Sequence, residues 1–150
     1  MKKALFALTL ILSMVVIFAC ASKPITTREE IDDAFKKVYQ QFRNDIILEG
    51  AGTYTVVSGD TLSKIARAQY GSSNGLYFPL IMLASSDVVL DPDEIKPDMK
   101  LTIPDLQKNL DDAKAKGKIK SFLVEIAKVY DRRGKFASTA DGLRELAASL

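Results

Sequence analysis

The sequence predicts an α+β fold: a β-α-α-β unit at residues 54–104, flanked by an amphipathic helix within 27–50 and a helical segment over 105–150. Two short alternating, β-branched runs, Tyr54-Thr55-Val56-Val57 and Lys100-Leu101-Thr102-Ile103, bracket two short helical patterns. Apolar residues at three- and four-residue spacing both precede and follow that unit. Neither flank shows a strand pattern, an internal repeat or a second copy of the unit.

The chain opens with Met1-Lys2-Lys3, a positive patch, followed by an apolar run over 4–19 that ends in the small residue Ala19 before Cys20. The run is short for a membrane span and has the organisation of an export signal. Taken alone, it also fits an uncleaved anchor helix or a secretory signal with an incidental cysteine. The tetrad Ile17-Phe18-Ala19-Cys20 resembles the lipobox of bacterial lipoproteins, although Phe18 is bulkier than the residue usual there. That resemblance implies residues 1–19 as signal peptide, a diacylglycerol on the Cys20 sulfur, acylation of the new N-terminus, and 20–26 as lipidated tether. Ala21 is not the aspartate that resembles an inner-membrane retention signal. The expected location is therefore the outer membrane of a two-membrane bacterium, facing the periplasm.

Cleavage alters the charge balance. Of 21 basic side chains, Lys2 and Lys3 would leave with the signal, and the remainder equals the 19 acidic ones. A neutral chain offers no basis for nucleic-acid binding or a polybasic grip on lipid. With its one cysteine lipidated and no histidine present, the chain lacks the groups for redox chemistry, disulfides, histidine-based nucleophilic catalysis and the usual zinc sites. Asp87, Asp91, Asp93 and Glu94 crowd one segment without EF-hand spacing and read as a solvated acidic loop. The other carboxylates lie among lysines and arginines on helices rather than in a converging hydrolytic pair. The expectation is a protein without catalysis and without a cofactor beyond its covalent lipid.

Along the exported chain, Thr27-Arg28-Glu29-Glu30 reads as a capping box. The helix it opens is expected to reach 48 or 49, with Ile31, Ala34, Phe35, Val38, Phe42 and Ile46 on one stripe and Gly50 as its stop. In the central unit Tyr54 and Val56 share a face of the first strand, Ser58-Gly59-Asp60-Thr61 breaks it, and Asp60 or Thr61 caps a helix carrying Leu62, Ile65, Ala66 and Tyr70. Pro79, tolerated in a first turn, places a second helix at 78–84 with Ile81 and Ala84 inward. Residues 85–98 read as loop, and Pro104 closes the last strand. In the tail Asp105 is expected to cap a helix ending at Gly117, a second to carry Ile119, Phe122, Leu123, Ile126 and Tyr130 before Gly134, and a third to follow Ser138 with Leu143, Leu146 and Leu150. The simplest packing joins the early helix and the tail as a structural bundle, with the central unit inserted in sequence.

The string from Tyr54 to Ala66, with Val57-Ser58-Gly59-Asp60-Thr61-Leu62 at its centre, resembles the opening of a LysM domain. Asp91-Pro92-Asp93-Glu94-Ile95-Lys96-Pro97-Asp98-Met99-Lys100-Leu101-Thr102-Ile103-Pro104 resembles its end, in the variant with a longer final loop. The resemblance implies binding of N-acetylglucosamine-containing glycan, in an envelope peptidoglycan, in a shallow groove. Its implied positions are Ser58, Gly59, Asp60, Thr61 and Leu62 on one side, with Ala84, Ser85, Ser86, Asp87 and Val88 on the other. Ser85 stands where the family commonly has asparagine, and Asp98 where it has glycine. Hydroxyls and close backbone amides suit sugar hydroxyl and acetamide groups, although the same residues serve ordinary solvated turns. Two other functions remain open: a scaffold whose helical bundle recruits another envelope protein, and an accessory subunit that delivers a hydrolase to the wall.

Overall fold

The computed structural model describes residues 23–150; the expected signal over 1–19 and the lipidation site Cys20 lie outside the described residues. Helix α1 (Arg28–Phe42) starts as the sequence predicts. Thr27 Oγ1 accepts from the Glu30 amide at 3.2 Å, and the Glu30 carboxylate accepts from the Thr26 and Thr27 amides at 3.1 and 3.3 Å. Those backbone donors hold the Glu30 carboxyl below its usual range. The helix ends at Phe42, short of the expected 48 or 49. Beyond it the Ile47 amide donates to Asn109 Oδ1 at 2.8 Å, and Asn109 Nδ2 returns a bond to the Ile47 carbonyl at 2.9 Å. A buried side chain from the tail thus takes the place of helical partners for the linker backbone.

Strand β1 (Gly52–Thr55) begins two residues earlier than the pattern implied and pairs antiparallel with β2 (Lys100–Ile103), Tyr54 opposite Leu101. Val56 lies past the strand and remains tied to its partner: its amide donates to the Met99 carbonyl and its carbonyl accepts from the Asp98 amide, both at 2.9 Å. Between the strands lie α2 (Leu62–Tyr70), capped by Thr61, and α3 (Phe78–Ala84), preceded by a 3-10 turn over Gly75–Tyr77. A second 3-10 turn, Pro92–Glu94, interrupts the loop before β2. Helix α3 is apolar throughout, and Phe78 to Leu83 are all buried, whereas Ala84, expected inward, is half-exposed. A short helix with no polar face must be covered on every side.

The tail forms α4 (Leu106–Asp111), α5 (Ala113–Arg132) and α6 (Ala137–Ser149). The expected break at Gly117 falls instead at Asp112, whose backbone is extended and whose carboxylate caps α5 by accepting from the Ala115 amide at 2.8 Å. Gly117 sits inside α5, since a mid-helix glycine costs only about 1 kcal/mol relative to alanine and the helix here is long and well packed.

Helix α1 does pack on α5, and α5 on α6. The bundle nevertheless shares one core with the β-α-α-β unit: Phe35 contacts Tyr130 edge-on at 5.7 Å between ring centres, and Tyr130 meets Phe78 of α3 at 6.3 Å. No helix among the described residues is long and apolar enough to cross a membrane.

Candidate glycan-binding site

The loop after β1 is built by Asp60. One carboxylate oxygen accepts from the Val57 amide at 2.9 Å and from the Tyr54 hydroxyl at 3.0 Å, and that bond pushes the Tyr54 phenol above its ordinary range. Thr61 caps α2 by accepting from the Lys64 amide, and the Lys64 ammonium donates to the Gly59 carbonyl at 2.9 Å. Gly59 has φ +87° with open space where a Cβ would lie. Backbone conformation, rather than crowding, is therefore what requires glycine here. Ser58, Gly59 and Thr61 are exposed, Asp60 is half-buried, and Leu62 is 3% exposed, its side chain in the core. Val57 is 56% exposed. Together these residues present an apolar surface, a hydroxyl and backbone groups to solvent, the complement of a sugar face and its polar edge.

The loop after α3 is different. Ser85 is only 1% exposed; its hydroxyl accepts from the Thr102 amide at 2.9 Å and lies 3.4 Å from the Thr102 carbonyl. It fastens the end of α3 to β2, with its hydroxyl turned away from solvent. The Ser85 carbonyl accepts from the Val88 and Val89 amides at 2.9 and 2.8 Å, which turns the chain so that Val89 is buried. What remains toward solvent is Ser86, half-buried, with Asp87 and Val88 exposed and Ala84 partly so. Of the ten groove positions read from the sequence, Ser85 and Leu62 are thus structural, and Asp60 shapes its loop with one of its two oxygens.

The two loops line separate concavities. Thr61 and Leu62 line a cleft of about 490 Å3 that runs under Ser72, Ser73 and Leu76 and is walled by Tyr130, Phe136 and Thr139 of the tail. Val88 lines a recess of about 130 Å3 with Arg28, Asp32 and Met99. Residues outside the expected set therefore contribute to the surface, and the tail residues carried no sequence signal beyond helical periodicity.

Of the four residues of the acidic loop, Asp87 is exposed as expected, whereas Asp91, Asp93 and Glu94 are ion-paired. Asp91 is buried and meets Arg133 at 3.2 Å, Asp93 meets the same guanidinium at 2.8 Å, and Glu94 pairs with Arg28. Arg133 also lies over the Phe136 ring at 4.5 Å. These contacts clamp the loop before β2 to both α1 and the end of α5.

Residues 54–104 match the family model described as LysM domain. No curated protein and no solved structure matches the chain. The match ends where the fold's β-α-α-β unit ends, at Pro104 after β2. Through residues 54–104 the chain carries a LysM domain, a general binding module for peptidoglycan and related N-acetylglucosamine glycans.

Proposed function

We propose that this protein is a lipid-anchored component of the bacterial envelope that binds peptidoglycan through its single LysM domain, without catalysis of its own. The observation that carries the reading is the LysM match on a fold whose first loop holds Val57, Ser58, Gly59 and Thr61 open to solvent. The second attachment is the lipid on Cys20, supported by the signal-like residues 1–19 and their resemblance to lipobox sequences. A diacylglycerol with an N-terminal acyl chain supplies more than the two anchoring signals that stable membrane attachment needs. Confinement beside the wall raises effective concentration, so a shallow sugar site of modest affinity suffices for tethering. The outer membrane, facing the periplasm, is the location that Ala21 favours.

The alternative in which the helical flanks recruit a protein partner has less support, because the residues it would use are committed inside. Phe35, Phe122, Leu123 and Ile126 are each 0% exposed. Cosedimentation with purified, protein-free peptidoglycan tests the binding half of the proposal: the protein pellets with the polymer and is released by N-acetylglucosamine oligomers. A protein that stays in the supernatant contradicts it. Cys20→Ser tests the anchor, since only the thiol forms the thioether: lipid incorporation is lost, and persistence of label and membrane attachment contradicts the assignment.

A further inference from the structure

The cleft of about 490 Å3 opens between the first turn of α2, the bend before α3 and the start of α6, and its volume lies within the range of small-ligand sites, about 300–1,000 Å3. Its wall on the α6 side lies beyond the segment that matches the LysM family. Leu76, 37% exposed, and the half-buried ring of Phe136 supply apolar surface, while Ser63 and Thr139 place hydroxyls at the edge.

Arg67 and Asp93 are the charged residues that line the cleft. Asp93 meets Arg133 at 2.8 Å and shares that single guanidinium with the buried Asp91. Arg67 is exposed and pairs with no carboxylate among the described residues. Its side chain lies across Gly75, where an added Cβ would come within 3.0 Å of Arg67 Cγ and 3.1 Å of Nη1. Packing therefore holds the side chain beside the cleft while its planar, five-donor head keeps its charge and hydrogen-bonding capacity.

We propose that this cleft is a second saccharide subsite that takes a carboxylate-bearing muropeptide unit: the amino-sugar face on Leu76 and Phe136, its polar groups on Ser63 and Thr139, and a peptide carboxylate on Arg67. The proposal rests on the glycan-binding reading above and adds the anionic part of the polymer to it. A neutral N-acetylglucosamine oligomer offers Arg67 only uncharged hydroxyl and acetamide oxygens, whereas a carboxylate meets the guanidinium in a stronger, charge-assisted, two-pronged hydrogen bond.

The test titrates the full-length protein, purified in detergent, with an N-acetylglucosaminyl-N-acetylmuramyl peptide and separately with a neutral N-acetylglucosamine oligomer, followed by amide chemical shifts. The muropeptide is expected to bind more tightly, with an advantage that shrinks as salt is added. Arg67→Gln removes that advantage, weakening the muropeptide about tenfold and leaving the neutral oligomer unchanged. Arg67→Lys restores part of it, and amidating the peptide carboxylates on the unaltered protein reproduces the loss. Thr139→Val, nearly isosteric, weakens the muropeptide, and amides of residues 136–139 shift only with that ligand. The proposal is overturned if Arg67→Gln leaves muropeptide binding unchanged or weakens both ligands equally. In that case continued binding of the neutral oligomer leaves the LysM reading standing, whereas failure of the unaltered protein to bind either ligand overturns both.

Discussion

The LysM unit and the helices around it solve the same packing problem in opposite ways. Within residues 54–104 order comes from short elements tied by specific polar bonds: Asp60 closing its loop, Ser85 on Thr102, Thr61 capping α2. The flanks use long amphipathic helices joined by apolar surface, with rings of Phe35, Tyr130 and Phe136 meeting edge to face. The two regimes meet at α3, which is short, has no polar face, and is buried by its own domain and by α5. The difference teaches that a recognisable module has been merged with its neighbours into one core rather than strung beside them.

The sharpest way to break that comparison is to remove Phe35, 0% exposed and far from the LysM segment in sequence. Phe35→Ala is expected to destabilise the protein by about 3–5 kcal/mol. Hydrogen exchange should report lost protection in α2 and α3 as well as in α1 and α5. Loss confined to α1 and the tail would restore the picture of two separate cores. A smaller effect distinguishes a structural from a sugar-contacting Ser85: Ser85→Ala is expected to cost about 1–3 kcal/mol, because the Thr102 amide loses its partner, with glycan affinity of the folded fraction unchanged. A stability-neutral change that weakens glycan binding would reverse that assignment.

How much of this was legible follows the same division. The strand-turn-helix opening, the capping box at Thr27 and the placement of α3 with Pro79 in its first turn were readable because each is a local matter of turn, cap or period. The groove was readable as positions but not as exposure, since burial of Ser85 and Leu62 depends on β2 and the core rather than on neighbours in sequence. Asn109 gave no warning: a polar residue in a helical pattern reads as surface, yet it organises a linker sixty-two positions away. The acidic loop misled for a related reason, as Arg133 and Arg28 reach it only once the helices are assembled. The all-apolar run of α3 carried a signal of burial on every side, but the reading of Ile81 and Ala84 as its inward positions passed over it.

Asp98 sharpens the comparison at lower amplitude. It is the only non-glycine with positive φ among the described residues, at φ 72°, and it stands where the LysM family commonly has glycine. Asp98→Gly is expected to raise stability by up to about 1 kcal/mol, read as a shift in the denaturation midpoint; a loss of stability would show that the aspartate side chain supports the turn.

The smallest effect is spectroscopic. All five tyrosines are held above the ordinary phenol range, Tyr39, Tyr70, Tyr77 and Tyr130 chiefly by burial and Tyr54 chiefly by its bond to Asp60. Because the folded values are raised, the stability they contribute is complete below the free-tyrosine value and is lost as pH rises through the folded values. Tyrosinate absorbance should therefore be delayed relative to free tyrosine, with Tyr39, Tyr70 and Tyr130 ionising together with unfolding. Ordinary titration of all five would contradict the packing described.

The central claim is that a LysM face, kept open at its first loop, binds glycan while the rest of the domain is locked into the common core. Amide chemical shifts during titration with a neutral N-acetylglucosamine oligomer test it most directly. The account predicts saturable shifts at residues 57–61 and 86–88, with Phe35, Leu80 and Ile126 unmoved. Shifts confined to α1 and α5, or none at any ligand concentration, would contradict it.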